Sequence, residues 1–201
     1  MSEADTPLIG VLALQGDFEA HGRVLRRLGA RVREVRDVAD LDGIAGLVIP
    51  GGESTTMTLG VEREGLAEPI AGLVREGLPV LGSCAGLIML DRAHLGLMDI
   101  VAERNAFGRQ VRSFEADLEI AGLRGGPVHG LFIRAPWIAE HGPGVEILAE
   151  VDGHAIAARE GRILAIAFHS ELGKDDRVHE MFLASIATRA GDGGAGRRAD
   201  R

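Results

Sequence analysis

The sequence predicts an α/β fold: an open, mainly parallel sheet flanked by helices, with an antiparallel or mixed strand extension. Two observations carry this. Residues 8–14 (LIGVLAL), 47–50 (LVIP) and 163–168 (ILAIAF) are short continuous apolar runs, the pattern of strands covered on both faces. In the first half such runs alternate with helical stretches, and a β-α-β-α-β rhythm implies crossovers that lay the strands parallel.

Taken in order, the strand at 8–14 is broken by Gln15-Gly16-Asp17. Residues 18–28 then read as a helix with Phe18, Val24, Leu25 and Leu28 in one apolar stripe, stopped by Gly29. A short strand at 32–35 and the buried one at 47–50 follow. Past Gly51-Gly52 a helix begins near Thr55, and another covers 66–76 up to Gly77 and Pro79. The third parallel strand, 79–81, passes into a helix at 85–90. The pattern then changes. Residues 111–120, 128–134, 145–151 and 154–159 look like strands joined by short Gly/Pro turns, which predicts an extension on the sheet's edge. A buried strand at 163–168 and a helix at 178–187 close the fold. The tail 191–201 (GDGGAGRRADR) lacks apolar periodicity and is expected to be disordered. Residues 1–190 read as one domain.

Composition narrows the function. Of 201 residues, 22 are Lys or Arg and 30 are Asp or Glu, and the net charge of −8 disfavours nucleic acid or an anionic membrane as partner. The chain opens without a basic-apolar leader, and no apolar run reaches the ~18–20 residues of a membrane span, so the expected location is the cytoplasm. A single Cys excludes an internal disulfide and a multi-thiolate metal site, leaving a thiol that is either filler or reagent.

That cysteine lies in Gly82-Ser83-Cys84-Ala85-Gly86, directly between a buried strand and a helix. This is the cysteine counterpart of the G-x-S-x-G nucleophile elbow, in which a sharp turn lifts the central side chain clear of the sheet. Gly82 and Gly86 lack the Cβ atoms that would collide there. The helix start favours a thiolate, and its first N–H groups, beginning with Ala85, are free to donate to an oxyanion. A thiolate nucleophile needs a base and an orienting acid. His169-Ser170-Glu171 follows the strand at 163–168, and residues two apart on extended chain point the same way, so His169 and Glu171 project together. Gly51 and Gly52, also just past a buried strand, suit an oxyanion wall opposite Cys84, with Ser54 or Thr55 capping the next helix. His21, His94, His129, His141, His154 and His179 lack metal-ligand spacing and read as surface or core fillers. Arg23, Arg26, Arg27, Arg31, Arg33 and Arg36 read as a solvated basic face.

These pieces resemble a class I glutamine amidotransferase domain. Leu14-Gln15-Gly16-Asp17 with Glu19 and His21, residues 50–56 (PGGESTT), Gly82–Gly86, the E-R-N-A-F-G-R-Q string from Glu103 to Gln110 with Ser113-Phe114-Glu115, and Phe132-Ile133-Arg134-Ala135-Pro136 narrow the resemblance. They are similar to the glutaminase subunit of the ribose 5-phosphate-dependent pyridoxal 5'-phosphate synthase, from about Ile9 to Phe182.

The resemblance implies the nucleophile Cys84 with His169 and Glu171, and L-glutamine contacts from Gly51, Gly52, Glu53, Ser54, Arg104, Ile133 and Arg134. It implies oxyanion donors in the Gly51–Gly52 and Ala85 backbone, with Arg104 or Arg134 on the amino-acid carboxylate. No cofactor or metal is implied. The implied partner is a synthase subunit that receives ammonia through a tunnel, with twelve glutaminases around a twelve-subunit core. One departure stands out: Ser170 replaces the family's usual proline between base and acid, which loosens the preset backbone. Other readings are a different glutaminase such as that of imidazole glycerol phosphate synthase, which lacks the E-R-N-x-F-G-R-Q string, and a PfpI-like enzyme, which commonly has His where this chain has Ala85. A non-catalytic subunit would have a broken triad.

Overall fold

The computed structural model describes residues 6–104 and 113–192; residues 105–110 of the E-R-N-A-F-G-R-Q string, the expected strand start at 111–112 and the tail from 193 lie outside the described residues. In chain order the first half comprises β1 (Leu8–Leu12), α1 (Phe18–Arg27), β2 (Arg31–Val35), β3 (Gly46–Ile49), α2 (Ser54–Arg63), α3 (Ala67–Arg75), β4 (Val80–Ser83) and α4 (Ala85–Leu90). The second half comprises β5 (Ile100–Glu103), β6 (Ser113–Leu118), β7 (Val128–Ile133), β8 (Trp137–His141), β9 (Glu146–Val151), β10 (His154–Glu160), β11 (Ile163–Ile166) and α5 (Arg177–Asp192).

Five strands run parallel in the order β2-β1-β3-β4-β11. β3, β4 and β11 bury every residue, which explains their unbroken apolar sequences. β2 is the edge strand, and its exposed Arg31 and Glu34 discourage pairing with another chain. Helix α1 packs on β1 and β2, turning Ala20, His21, Val24 and Leu25 inward. The short α4 is buried throughout and contacts β3, β4 and β5.

The antiparallel extension is present but is divided. β10 pairs antiparallel with β11, carries β9 and β8, and β8 carries β5 at the far edge. The β9–β10 hairpin turns on Asp152 and Gly153, both at positive φ (51° and 78°), as a tight two-residue turn requires. The segments expected at 111–120 and 128–134 do not extend this edge. Their described parts, β6 and β7, form a separate two-stranded sheet. It meets the main sheet through one bridge, Leu131 to His169, and through aromatic packing. Phe114 stacks on Phe132 at 4.4 Å, and Phe132 lies 5.6 Å from Phe168. A Cβ on Gly130 would stand 2.6 Å from Leu118 Cδ1 and 3.3 Å from Phe168 Cγ, so the bare backbone there permits this approach. Helix α5 includes Gly191 and Asp192, where the sequence pattern placed the start of the tail. No described helix is long and apolar enough to cross a membrane.

Candidate active site

The C-terminal ends of β1, β3, β4 and β11 meet at one place. Cys84, the residue after β4, has φ 49° and ψ −106°, a conformation that side chains rarely adopt. Its N–H donates to Ile166 O at 2.8 Å, which continues the β4–β11 ladder into the turn. A Cβ on Gly86 would lie 2.0 Å from Ile49 O, and one on Gly82 would lie 2.7 Å from Gly86 O. Both glycines are therefore steric requirements of this elbow. The Ala85 N–H, first in α4, has no acceptor within the helix.

His169 lies three residues beyond the end of β11, and its backbone N–H donates to Leu131 O at 2.9 Å. Its Nδ1 sits 2.6 Å from Glu171 Oε1, with both side chains buried. Burial opposes the charged imidazolium, but Cys84 and Glu171 outweigh it and push His169 up to about 10. Burial likewise resists charge on Glu171, yet His21 and His169 hold its carboxyl below the ordinary value. Gly51 lies beneath the pair: a Cβ there would stand 2.5 Å from His169 Cε1 and 3.4 Å from Cys84 Cβ. Asp17 Oδ2 lies 3.6 Å from His169 Nδ1. With Glu171 these two bring ligand-type atoms within 4.8 Å of one another, but Nδ1 already bonds Glu171.

Cys84 opens into a cleft of about 100 Å³ lined by Gly52, Glu53, Ser54, Ala85, Ile88, Arg104, Ile133, Arg134 and Pro136. Residues singled out from four separate stretches of sequence therefore share one small space. A broader open depression of about 630 Å³ beside α5 carries Arg124, Arg159, Arg162 and Arg177 and lies away from Cys84. Within the cleft, Arg104 reaches Glu53 Oε1 at 3.2 Å and Thr55 Oγ1 at 3.3 Å. Arg134 makes no ion pair among the described residues, and its backbone has φ 46°, so both the nucleophile and this arginine sit on left-handed turns. The Cys84 thiol faces Ile133 O at 3.9 Å.

Glu53 departs from expectation. The cap of α2 is neither Ser54 nor Thr55: the Glu53 carboxylate accepts from Thr55 N at 3.0 Å and Thr56 N at 2.7 Å. Hydrogen bonds from the Thr56 hydroxyl and the Thr56 and Thr55 N–H groups draw its carboxyl down to about 2. The side chain is thus committed to the helix and to Arg104, and what it presents to the cleft is chiefly backbone. Sequence reasoning also passed over Gln15, whose Oε1 accepts from Glu53 N at 2.8 Å and fills the space a Cβ on Gly52 (φ 152°) would need. Its place just past β1, on the same sheet edge as the other site loops, was the available signal.

Two supposed fillers lie in the site's second layer. His21 Nε2 is 2.9 Å from Ser83 Oγ and 3.4 Å from Glu171 Oε2, while its Nδ1 meets His179 Nε2 at 2.9 Å. Burial pushes His21 below its ordinary value and His179 down to about 3. The arginines of α1 and β2 are largely engaged: Arg27 bonds Asp176 at 2.8 Å, Arg33 bonds the carbonyls of Asp40 and Asp42, and Arg36 pairs with Glu34.

An open sheet with a thiol elbow facing a His–Glu pair is the architecture of the class I glutamine amidotransferases. The chain belongs to the SNO glutamine amidotransferase family, whose profile matches residues 11–188. It is 49% identical over 193 residues to the protein named pyridoxal 5'-phosphate synthase subunit PdxT from Mycolicibacterium vanbaalenii, covering 90% of this chain and 98% of that one. The subunit of the same name from Frankia casuarinae is 50% identical over 189 residues, covering 90% and 95%. A crystal structure of a glutamine amidotransferase superposes with TM-score 0.84 at 45% identity, over 89% of this chain and 98% of that one. PurLQS from Thermotoga maritima shares the fold at TM-score 0.72 and 16% identity, over 92% and 99%.

Proposed function

We propose that the chain is the cytoplasmic glutaminase subunit of a pyridoxal 5'-phosphate synthase, acting through Cys84, His169 and Glu171. The observation that carries this reading is the 2.6 Å His169–Glu171 hydrogen bond beside a strained elbow cysteine, at the floor of a small cleft. The Cys84 thiolate attacks the side-chain carboxamide carbon of L-glutamine. The tetrahedral oxyanion rests on the Gly52 and Ala85 N–H groups. The His169 imidazolium gives its proton to the amide nitrogen as the C–N bond breaks, releasing ammonia and leaving a glutamyl thioester. Neutral His169 then takes a proton from water, whose oxygen attacks the thioester to yield glutamate and restore the thiolate. Glu171 fixes the tautomer that presents Nε2 to the thiol.

Of the two candidate arginines, Arg134 is the better holder of the substrate carboxylate, since Arg104 is occupied by Glu53 and Thr55. The ammonia passes to a synthase subunit that builds pyridoxal 5'-phosphate, a form of vitamin B6, from ribose 5-phosphate and glyceraldehyde 3-phosphate. The resemblance supports a complex of twelve copies of each subunit. The test is ammonia release from L-glutamine by the purified chain, alone and with the synthase subunit. Stimulation by the synthase is expected. No release in either case would refute the glutaminase reading, and release without stimulation would refute the subunit assignment.

A further inference from the structure

Glu171 is a buried carboxylate whose two oxygens are unequally served. Oε1 has the 2.6 Å bond to His169, whereas Oε2 has no aligned hydrogen bond among the described residues. The nitrogen facing Oε2 is Nε2 of His21, 3.4 Å away on helix α1. A carboxylate oxygen can only accept, so the nitrogen opposite it carries the proton. His21 Nδ1 is then the acceptor for the Nε2–H of His179, 2.9 Å distant. The same His21 Nε2–H also reaches Ser83 Oγ at 2.9 Å, and Ser83 is the residue immediately before the nucleophile. All four side chains are buried.

We propose that His21, held in this tautomer by His179, is a positioning residue for the glutaminase reaction: its one Nε2–H bonds Ser83, on the strand end that carries Cys84, and faces the Glu171 carboxylate at 3.4 Å. The acid that orients His169 and the turn that presents the thiol are thereby referred to a common point on α1, an element that contributes nothing to the cleft lining. A preorganised site needs such support, because misplacing an orienting group by an ångström is enough to lose much of the rate. The outer hydrogen-bond partners of metal-ligating imidazoles offer a scale by analogy, since their removal lowers metal affinity or activity about 10- to 100-fold.

Three substitutions separate positioning from packing. His21→Gln places an amide N–H where Nε2 stood, facing Glu171 and Ser83. His21→Asn places its amide near Nδ1, facing His179, and His21→Leu offers no polar group. Turnover of L-glutamine is measured with the synthase subunit present, with circular dichroism and thermal melts to verify folding. His21→Gln is expected to keep kcat within about fivefold of wild type. His21→Asn and His21→Leu are expected to lose about 10- to 100-fold in kcat with KM changed by less than about threefold. Equal kcat for the Gln and Asn variants, or Asn above Gln, would overturn the inference, and this comparison stands even if the Leu variant fails to fold. The turnover assay rests on the glutaminase reading. Alkylation of Cys84, the chain's one cysteine, by iodoacetamide does not, and the same order of rates, Gln above Asn, is expected there. A wild type inactive on glutamine would thus refute the function alone, while matched alkylation rates for Gln and Asn would refute the role of His21 alone.

Discussion

Strands β4 and β11 bury every residue and lead directly into Cys84 and towards His169, whereas the β6–β7 hairpin alternates exposed and covered positions and leads into Ile133 and Arg134. One region is fixed by packing on both faces. The other meets the main sheet through one isolated backbone bridge and a row of three phenylalanines, while Arg177 holds the carbonyls of Arg124, Gly126 and Pro127 in its connecting loop. The proposed reacting groups rise from the first region, and a proposed substrate carboxylate ligand comes from the second. Chemistry that depends on hydrogen-bond geometry is thereby placed where the backbone is least able to move.

If that division is real, substitutions in the first region should abolish turnover and those in the second should weaken substrate capture. The largest effect is expected from Cys84→Ala, which removes the nucleophile and should cut synthase-stimulated ammonia release by at least about 1000-fold. Glu171→Gln should lower kcat about 100- to 10,000-fold. It should also move the alkaline limb of the kcat/KM profile to lower pH, because His169 loses one of the two neighbours that hold it near 10 against burial. Arg134→Ala, in the hairpin region, should instead raise KM for glutamine about 10- to 100-fold with a smaller change in kcat. An equal fall in kcat and kcat/KM for Arg134→Ala would break the comparison.

Smaller effects concern stability. Burial lowers His179 from 6.5 to about 3, so the folded chain binds fewer protons there than the unfolded one. Its contribution is fully present above pH 6.5 and is lost as pH falls towards 3. Between pH 6.5 and 5 the loss is roughly 2 kcal/mol, and urea unfolding of His179→Leu should show a correspondingly flatter acid dependence. The smallest effect is expected at Ser170. Its hydroxyl is buried without a partner among the described residues, and no described group accepts from its backbone N–H. Ser170→Pro should raise stability by about 0.4–1 kcal/mol in a thermal melt and leave turnover within about twofold.

How much of this was legible depended on what each residue's environment imposes locally. The parallel half was readable because strands covered on both faces must be continuously apolar. β5 and β8 were not, being four and five residues long, with β8 ending in exposed Ala139, Glu140 and His141. The hairpin was recognised as strands but assigned to the wrong sheet, since alternation specifies a face and not a neighbour. Cys84, His169 and Glu171 were legible because each follows a buried strand within a few residues. Glu53 as a cap was not, because the usual cap residues Ser54 and Thr55 stand beside it. The contact of His21 with Glu171 joins α1 to the far end of the chain, and nothing in local spacing reveals such a pair.

The bridge between Leu131 and His169 has a metric consequence. Leu131 O receives the His169 N–H, and Ile133 O faces the Cys84 thiol. Residues two apart on a strand turn their carbonyls to the same edge, about 6.7 Å along it. β7 therefore works as a ruler laid across the sheet's end, with one graduation at the base and the next at the nucleophile. A slip of one residue in its pairing would turn both marks away at once.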